Sequence, residues 1–255
     1  KPTVGFIRRK KLNTQKVIQV NNLTKCFGEK EVLRDCSMTL SRGTIYGLLG
    51  MNGAGKTTLF KLLTGLLCPD YGSIEILGSD MLKERDKMLA RIGSLIEAPV
   101  FYEHLSARKN LELHLSYMDT AGMRAEKALQ MVGLTGIGEK AVSAFSLGMR
   151  QRLGIARAIV HEPELLVLDE PINGLDPVGI KQMRELFVNL VKEKKTTILF
   201  SSHILSETEH IADTVGVLSG GKIVDEADLK ELKERKQGSL EDYFFTLMTG
   251  GDSAC

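Results

Sequence analysis

The sequence predicts an α/β fold built on a mainly parallel sheet with helices on both faces. Three observations predict it. The apolar runs TIYGLLG (44–50), LLVLD (165–169) and TTILFSS (196–202) have the length and continuity of strands buried on both sides. Helical patterns separate them: Leu59, Leu62, Leu63 and Leu66 recur at i, i+3, i+4 and i+7, and a second pattern covers 178–193. Parallel strands need crossovers of this kind. At 255 residues the chain can bury a substantial core, as one large domain or one domain with a subdomain.

The first sixteen residues, KPTVGFIRRKKLNTQK, carry six basic groups and no acid, and they lack the apolar stretch of a secretory signal. IRRKK has the chemistry to touch RNA or anionic lipid, but short basic runs are common, and residues 1–16 are expected to be a disordered leader. VIQVNNL (17–23) and VLRDCSMTL (32–40) read as half-buried strands of an N-terminal antiparallel β region. Pro69 is expected to end the helix after the first apolar run. SIEIL (73–77) and RIGSLI (91–96) follow as strands, and the latter stops at a carboxylate, Glu97. Residues 100–160 read as helix and turn, an inserted α-helical subdomain within a core of 17–99 and 161–225. TVGVLS and KIVD form a late hairpin. The tail, 226–255, reads as helical: EADLKELKERK (226–236) is amphipathic, and LEDYFFTLMTG (240–250) is expected to pack on the core. No ligand-sensing module is expected beyond it.

Composition excludes several classes. Hydrophobic residues at 43% and charged residues at 26% are ordinary for a globular chain, and a net charge of +2 does not argue for nucleic acid. No apolar run reaches the roughly 18 residues a membrane-spanning helix needs. The four cysteines show no CxxC spacing, so neither a disulfide framework nor a zinc site is expected and a reducing compartment fits.

GMNGAGKTT (50–58) satisfies GxxxxGK[ST] between a predicted strand and a predicted helix, the context of a phosphate-binding loop and of a P-loop NTPase core. Gly50, Gly53 and Gly55 let the backbone turn so that N–H groups at Asn52, Ala54 and Thr58 can face phosphate, and the following helix adds its positive end. Lys56 can reach the β- and γ-phosphates, and the Thr57 hydroxyl can ligate Mg²⁺. In an open parallel sheet, ligands sit beyond the carboxyl ends of the strands. Asp169 and Glu170 follow LLVL there, His203 follows TTILFSS, and Glu97 follows RIGSLI. Asp169 is suited to hold Mg²⁺, Glu170 to deprotonate an attacking water, and His203 to donate to the γ-phosphate. His104, His114, His161 and His210 have no such setting and are expected on the surface or in packing.

GMNGAGKTT, FSLGMRQR (145–152), LLVLDEP (165–171), NGLDP (173–177) and SSH (201–203), in that order, resemble the ATP-binding subunits of ABC transporters over 17 to about 225. The resemblance implies ATP and Mg²⁺ as ligands. It also implies two chains, as a homodimer or a heterodimer with a related one, sandwiching two ATP molecules. Ser146 and Gly148 would engage the γ-phosphate held by the opposite chain, Asp176 would lie in the loop crossing the dimer interface, and Phe27 would stack on adenine. Ser146 also opens a predicted helix, whose free N–H groups suit an anion. Leu147 and Met149 stand where the family's LSGGQ pattern has glycine and glutamine.

Glu97 stands where the family's loop carries glutamine, a residue that reaches toward Mg²⁺ and the attacking water and links the site to the membrane subunit. Ionised glutamate only accepts hydrogen bonds. It is expected to join the metal shell with Thr57 and Asp169 and to make closure more metal-dependent, because it repels Asp169 and Glu170 unless Mg²⁺ lies between. The acidic loop resembles that of lantibiotic-immunity and bacitracin-resistance exporters. The expected function is ATP hydrolysis powering a separate transmembrane permease, at the cytoplasmic, inner face of the membrane, exporting an antimicrobial peptide or similar amphipathic compound. A soluble ABC ATPase acting on ribosomes or DNA is the rival, and an importer ATPase shares the chemistry. The single ATPase half, with no long heptad run, disfavours nucleic acid as a partner.

Overall fold

The computed structural model describes residues 15–120, 122–235 and 239–249. Most of the basic leader, residues 1–14, lies outside the described residues.

Two long strands, β1 (Lys16–Phe27) and β2 (Lys30–Ser41), pair antiparallel across a turn at Gly28, whose φ of +61° lies in the left-handed region. Next along the chain are β3 (Ile45–Leu49), α1 (Lys56–Leu63), β4 (Tyr71–Ile76), β5 (Ser79–Asp80), α2 (Arg85–Leu89) and β6 (Ile92–Leu95). The helical stretch holds α3 (Ala107–Tyr117), α4 (Ala125–Met131) and α5 (Leu147–Ile159). The remainder is β7 (Leu165–Leu168), α6 (Pro177–Lys194), β8 (Thr197–Ser202), α7 (Leu205–Thr208), β9 (Thr214–Ser219), β10 (Lys222–Asp228), α8 (Leu229–Arg235) and α9 (Leu240–Thr249).

One sheet has the order β2-β1-β4-β5 and is antiparallel; the other has the order β10-β9-β3-β8-β7-β6 and is parallel except for the β9–β10 hairpin. The strand period of two explains the continuous apolar runs. In β7, Leu165 and Val167 enter the core under the antiparallel sheet and α1, while Leu166 and Leu168 enter the core formed with α5 and α6. In β8, Leu199 faces the first core and Ile198 and Phe200 the second. A third cluster joins Leu49, Val215 and Val217 to Leu229 and Phe244, so the tail packs on the sheet as its composition suggests.

Two boundaries differ from the sequence reading. Helix α1 ends at Leu63: the Thr64 hydroxyl donates to the Phe60 carbonyl, Gly65 turns left-handed at φ +66°, and Leu66, read as part of the apolar stripe, is 59% exposed. The tail helix starts at Leu229 rather than Glu226, because Glu226 to Asp228 continue the hairpin opposite Gly216 to Thr214.

Candidate functional site

The parallel strands β3, β8, β7 and β6 end in register, with Leu49 opposite Ser202, Leu168 opposite Phe200 and Leu95 opposite Leu168. Their carboxyl ends therefore deliver loops to one edge. The phosphate loop leaves β3 there. Gly50 passes so close to β9 that a Cβ would stand 2.7 Å from the Leu218 carbonyl oxygen, and Gly55, at φ +109°, opens α1 against Val32 and Leu33. These are the positions where the loop's path needs glycine. Met51, Asn52 and Gly53 are exposed, Ala54 and Thr58 half-buried, so the loop forms an open shelf.

Lys56 is 7% exposed and its ammonium curls back over the loop, donating to the Gly50 carbonyl at 2.7 Å and lying 3.6 Å from Glu170 Oε1. The Thr57 hydroxyl donates to Asp169 Oδ2 at 2.6 Å. Ser201, from β8, donates to Asp169 Oδ1 at 2.6 Å and accepts the Glu170 N–H at 2.8 Å. Glu170 Oε2 meets His203 Nδ1 at 3.0 Å. One continuous polar chain thus runs from the phosphate loop through Asp169 to Glu170 and His203. The structure brings together Lys56, Thr57, Asp169, Glu170 and His203. Oxygen donors of the Thr57–Asp169 type fit a Mg²⁺ ion.

Glu170 has φ +47°, a conformation costing about 1–3 kcal/mol in a residue other than glycine. Buried Gln151 of α5 holds it by donating to the carbonyls of Glu170, at 3.3 Å, and of Pro171, at 3.0 Å. Half-buried Glu207, one turn beyond His203, has its carboxyl pushed up by desolvation, against the pull of Arg184 and His203 and with a smaller push from Glu170.

Other candidates lie apart from this chain of contacts. Glu97 is exposed and its carboxylate meets Lys61 of α1 at 2.6 Å rather than Thr57 or Asp169. Ser146 caps α5, accepting from Met149 N at 3.3 Å, and is exposed beside Gly148. Asp176 caps α6, accepting from Gly179 N at 2.9 Å. Phe27 is 48% exposed, with the Lys25 ammonium 5.6 Å from its ring centre. Sequence reasoning missed Ser201, Gln151 and Lys61. A serine closing the apolar run of β8 was a usable signal for the first, and Gln151, four residues after Leu147 on one helix face, was a weaker one. The partnership of Lys61 carried none, since it depends on how α1 sits against β6.

The ABC transporter family model matches residues 33–173. The bacitracin transport ATP-binding protein BcrA of Bacillus licheniformis is 47% identical over 226 residues, 88% of this chain and 74% of that protein. The lantibiotic transport ATP-binding protein SrtF of Streptococcus pyogenes is 43% identical over 208 residues, 82% of this chain and 89% of that protein. The solved ATP binding subunit of an ABC transporter superposes with a TM-score of 0.81 at 28% identity, covering 91% of this chain and 99% of that one. The chain belongs to the ABC transporter family, as one of its ATP-hydrolysing ATP-binding proteins.

Proposed function

We propose that the chain powers a separately encoded membrane permease that exports an antimicrobial peptide or similar amphipathic compound, from the cytoplasmic face of the membrane. The observation that carries the chemistry is the polar chain Thr57–Asp169–Ser201–Glu170–His203 beside the Lys56 ammonium. The 47% identity to a bacitracin transport protein supports the substrate class.

In this reading ATP lies along the phosphate loop, with adenine on Phe27 and backbone N–H groups and Lys56 on the phosphates. Thr57 and Asp169 would hold Mg²⁺, which when bound neutralises phosphate charge. Glu170 takes a proton from the attacking water as its oxygen bonds to the γ-phosphorus. The bond from that phosphorus to the bridging oxygen breaks, and ADP and phosphate leave. His203 donates toward the γ-phosphate and is kept oriented by Glu170. Catalysis is then mainly positioning and electrostatics.

The shelf is open, and Leu147 at 70% and Val178 at 63% exposure lie beside Ser146 and Asp176. This supports a second copy covering the site, with its Ser146 and Gly148 facing the γ-phosphate. The test is affinity purification of the tagged chain from detergent-solubilised membranes, with mass spectrometry and with bacitracin sensitivity of cells lacking it. A stoichiometric polytopic protein and increased sensitivity are expected. Ribosomal proteins or nucleic acid in place of a permease would overturn the transport reading.

A further inference from the structure

Strand β1 ends at Phe27, and its last residues leave the regular ladder. Its register with β2 shifts on both sides of Lys25, and its pairing with β4 stops at Thr24 opposite Tyr71. Asp70, the residue before β4, takes over where that pairing stops. Its N–H donates to the Thr24 carbonyl at 3.0 Å, and its carboxylate accepts the Cys26 N–H at 2.6 Å and the Lys25 ammonium at 3.0 Å. Pro69 precedes it and has no N–H with which to extend the ladder. The two donors, the Cys26 N–H first, hold the Asp70 carboxyl below its usual range, so it stays a pure acceptor at neutral pH. The Lys25 ammonium lies over the Phe27 ring, 5.6 Å from its centre, within reach of a cation–π attraction. The Lys25 side chain is 14% exposed, whereas Phe27 is 48% exposed, so a flat ring can still stack on it. This end of β1 also stands next to the phosphate loop. Leu33, the partner of Lys25 in the β1–β2 ladder, has its Cδ2 2.9 Å from where a Cβ on Gly55 would be.

We propose that Asp70 is a positioning residue for the base of the bound nucleotide: by holding the Cys26 N–H and the Lys25 ammonium on one carboxylate, it fixes the Phe27 ring in the pose on which the base stacks. The proposal rests on the reading that adenine lies on Phe27. One side chain does here what a third strand would do. Without it the Cys26 N–H and the Lys25 ammonium lose their acceptor, and the irregular end of β1 is held on the β2 side alone. A ring that swings among several poses is competent to stack in only some of them, and apparent affinity falls by that fraction. The phosphates are insulated from this change. Gly55 rests on Val32 and Leu33 of β2, and β2 is held on its far side by the Arg34 N–H, which donates to the Gly221 carbonyl at 2.9 Å.

The experiment compares, by calorimetry on the full chain, the affinity for a non-hydrolysable ATP analogue with that for tripolyphosphate, which has no base. The kcat and KM of hydrolysis are measured beside them. Base–aromatic stacking carries roughly five- to hundredfold in affinity, so Phe27→Ala should lose that much for the analogue and none for tripolyphosphate. Asp70→Ala should weaken the analogue about three- to tenfold, raise KM in step, and leave both tripolyphosphate affinity and kcat within about twofold. Asp70→Asn keeps an oxygen for the Cys26 N–H but loses the charge facing Lys25, and should fall between. In a Phe27→Ala background, Asp70→Ala should weaken neither ligand further. Unchanged analogue affinity in Asp70→Ala, equal weakening of analogue and tripolyphosphate, or a further loss without Phe27 overturns the proposal. If Phe27→Ala binds the analogue as the wild type does, adenine lies elsewhere and the proposal falls with that reading, while the chemistry at the phosphate loop stands. Thermal midpoints identify any variant that merely fails to fold, and Asp70→Asn then carries the comparison.

Discussion

Ser201 makes two bonds with one hydroxyl, and both go to residues of the site: it donates to Asp169 and accepts from the Glu170 N–H. It is 1% exposed, so water cannot replace it. Ser201→Ala leaves the half-buried Glu170 N–H and an Asp169 carboxylate oxygen short of a partner, at about 1–3 kcal/mol of stability. The expected phenotype is a lower thermal midpoint and a drop in kcat larger than any change in nucleotide affinity, since the backbone that aims Glu170 loosens while the phosphate loop does not. Equal loss of kcat and affinity would place Ser201 in the fold alone. Glu170→Gln keeps the size and removes the proposed base, so phosphate release should slow by about 10² to 10⁴ while ATP still binds. Size-exclusion chromatography with ATP should then show a dimer accumulating, and a monomeric, fully active variant would contradict the role of base. Lys56, Thr57, Asp169, Glu170 and His203 were legible in the sequence because each stands directly after a buried strand or in a loop with fixed glycine spacing. Glu97 was legible as a strand end but not as a partner of Lys61, because periodicity says nothing about which helix residue faces a given loop.

Helices α5 and α6 both begin with a capping side chain that also belongs to a loop expected at the interface between copies. Ser146 caps the first and Asp176 the second, and in α6 Pro177 follows at a position where its missing N–H costs nothing. Asp176→Ala should cost about 1 kcal/mol through loss of the bond to Gly179 N, whereas Asp176→Asn should keep most of the stability. Chemical denaturation separates the two: equal destabilisation by both would mean that charge toward the helix dipole, rather than the hydrogen bond, holds the cap. If Asn keeps the fold but slows hydrolysis, Asp176 acts across the interface as well. These starts were readable because Ser and Asp before a helix are local signals. The end of α1 was less so: a leucine at the right spacing, Leu66, suggested continuation, and a glycine at φ +66° decided otherwise. The start of α8 was displaced by pairing with β9, a non-local contact that amphipathic spacing in 226–236 does not encode.

Across the whole molecule, the parallel sheet and its order of helices followed from continuous apolar runs, while the meeting of the helical stretch with the sheet had to be seen. One such joint is a pair of histidines expected on the surface or in packing. His161 is 7% exposed, with Nε2 placed 3.2 Å from the Ile92 carbonyl of β6, and its Nδ1 lies 3.4 Å from His114 Nε2 of α3. The ring nitrogens of His161 thus face the Ile92 carbonyl and His114, with the Arg157 backbone as a further partner. Desolvation first, then the neighbouring His161 and Arg157, pushes His114 down to about 4 from its ordinary 6.5, and desolvation also lowers His161. The unfolded chain therefore binds protons that the folded one refuses, and stability falls as pH drops from about 6.5 toward about 4. The slope should be a fraction of the roughly 1.4 kcal/mol per pH unit that one proton can carry, because a half-buried ring is partly screened. His114→Gln removes one titrating ring and should flatten the urea midpoint across this window relative to wild type. Carboxylates held low by arginines, such as Glu103 beside Arg150 and Glu164 beside Arg91, titrate below their ordinary range in both proteins and cancel in the difference. Parallel curves for wild type and variant between pH 7 and pH 5 would show that His114 carries none of the pH dependence of stability in this window.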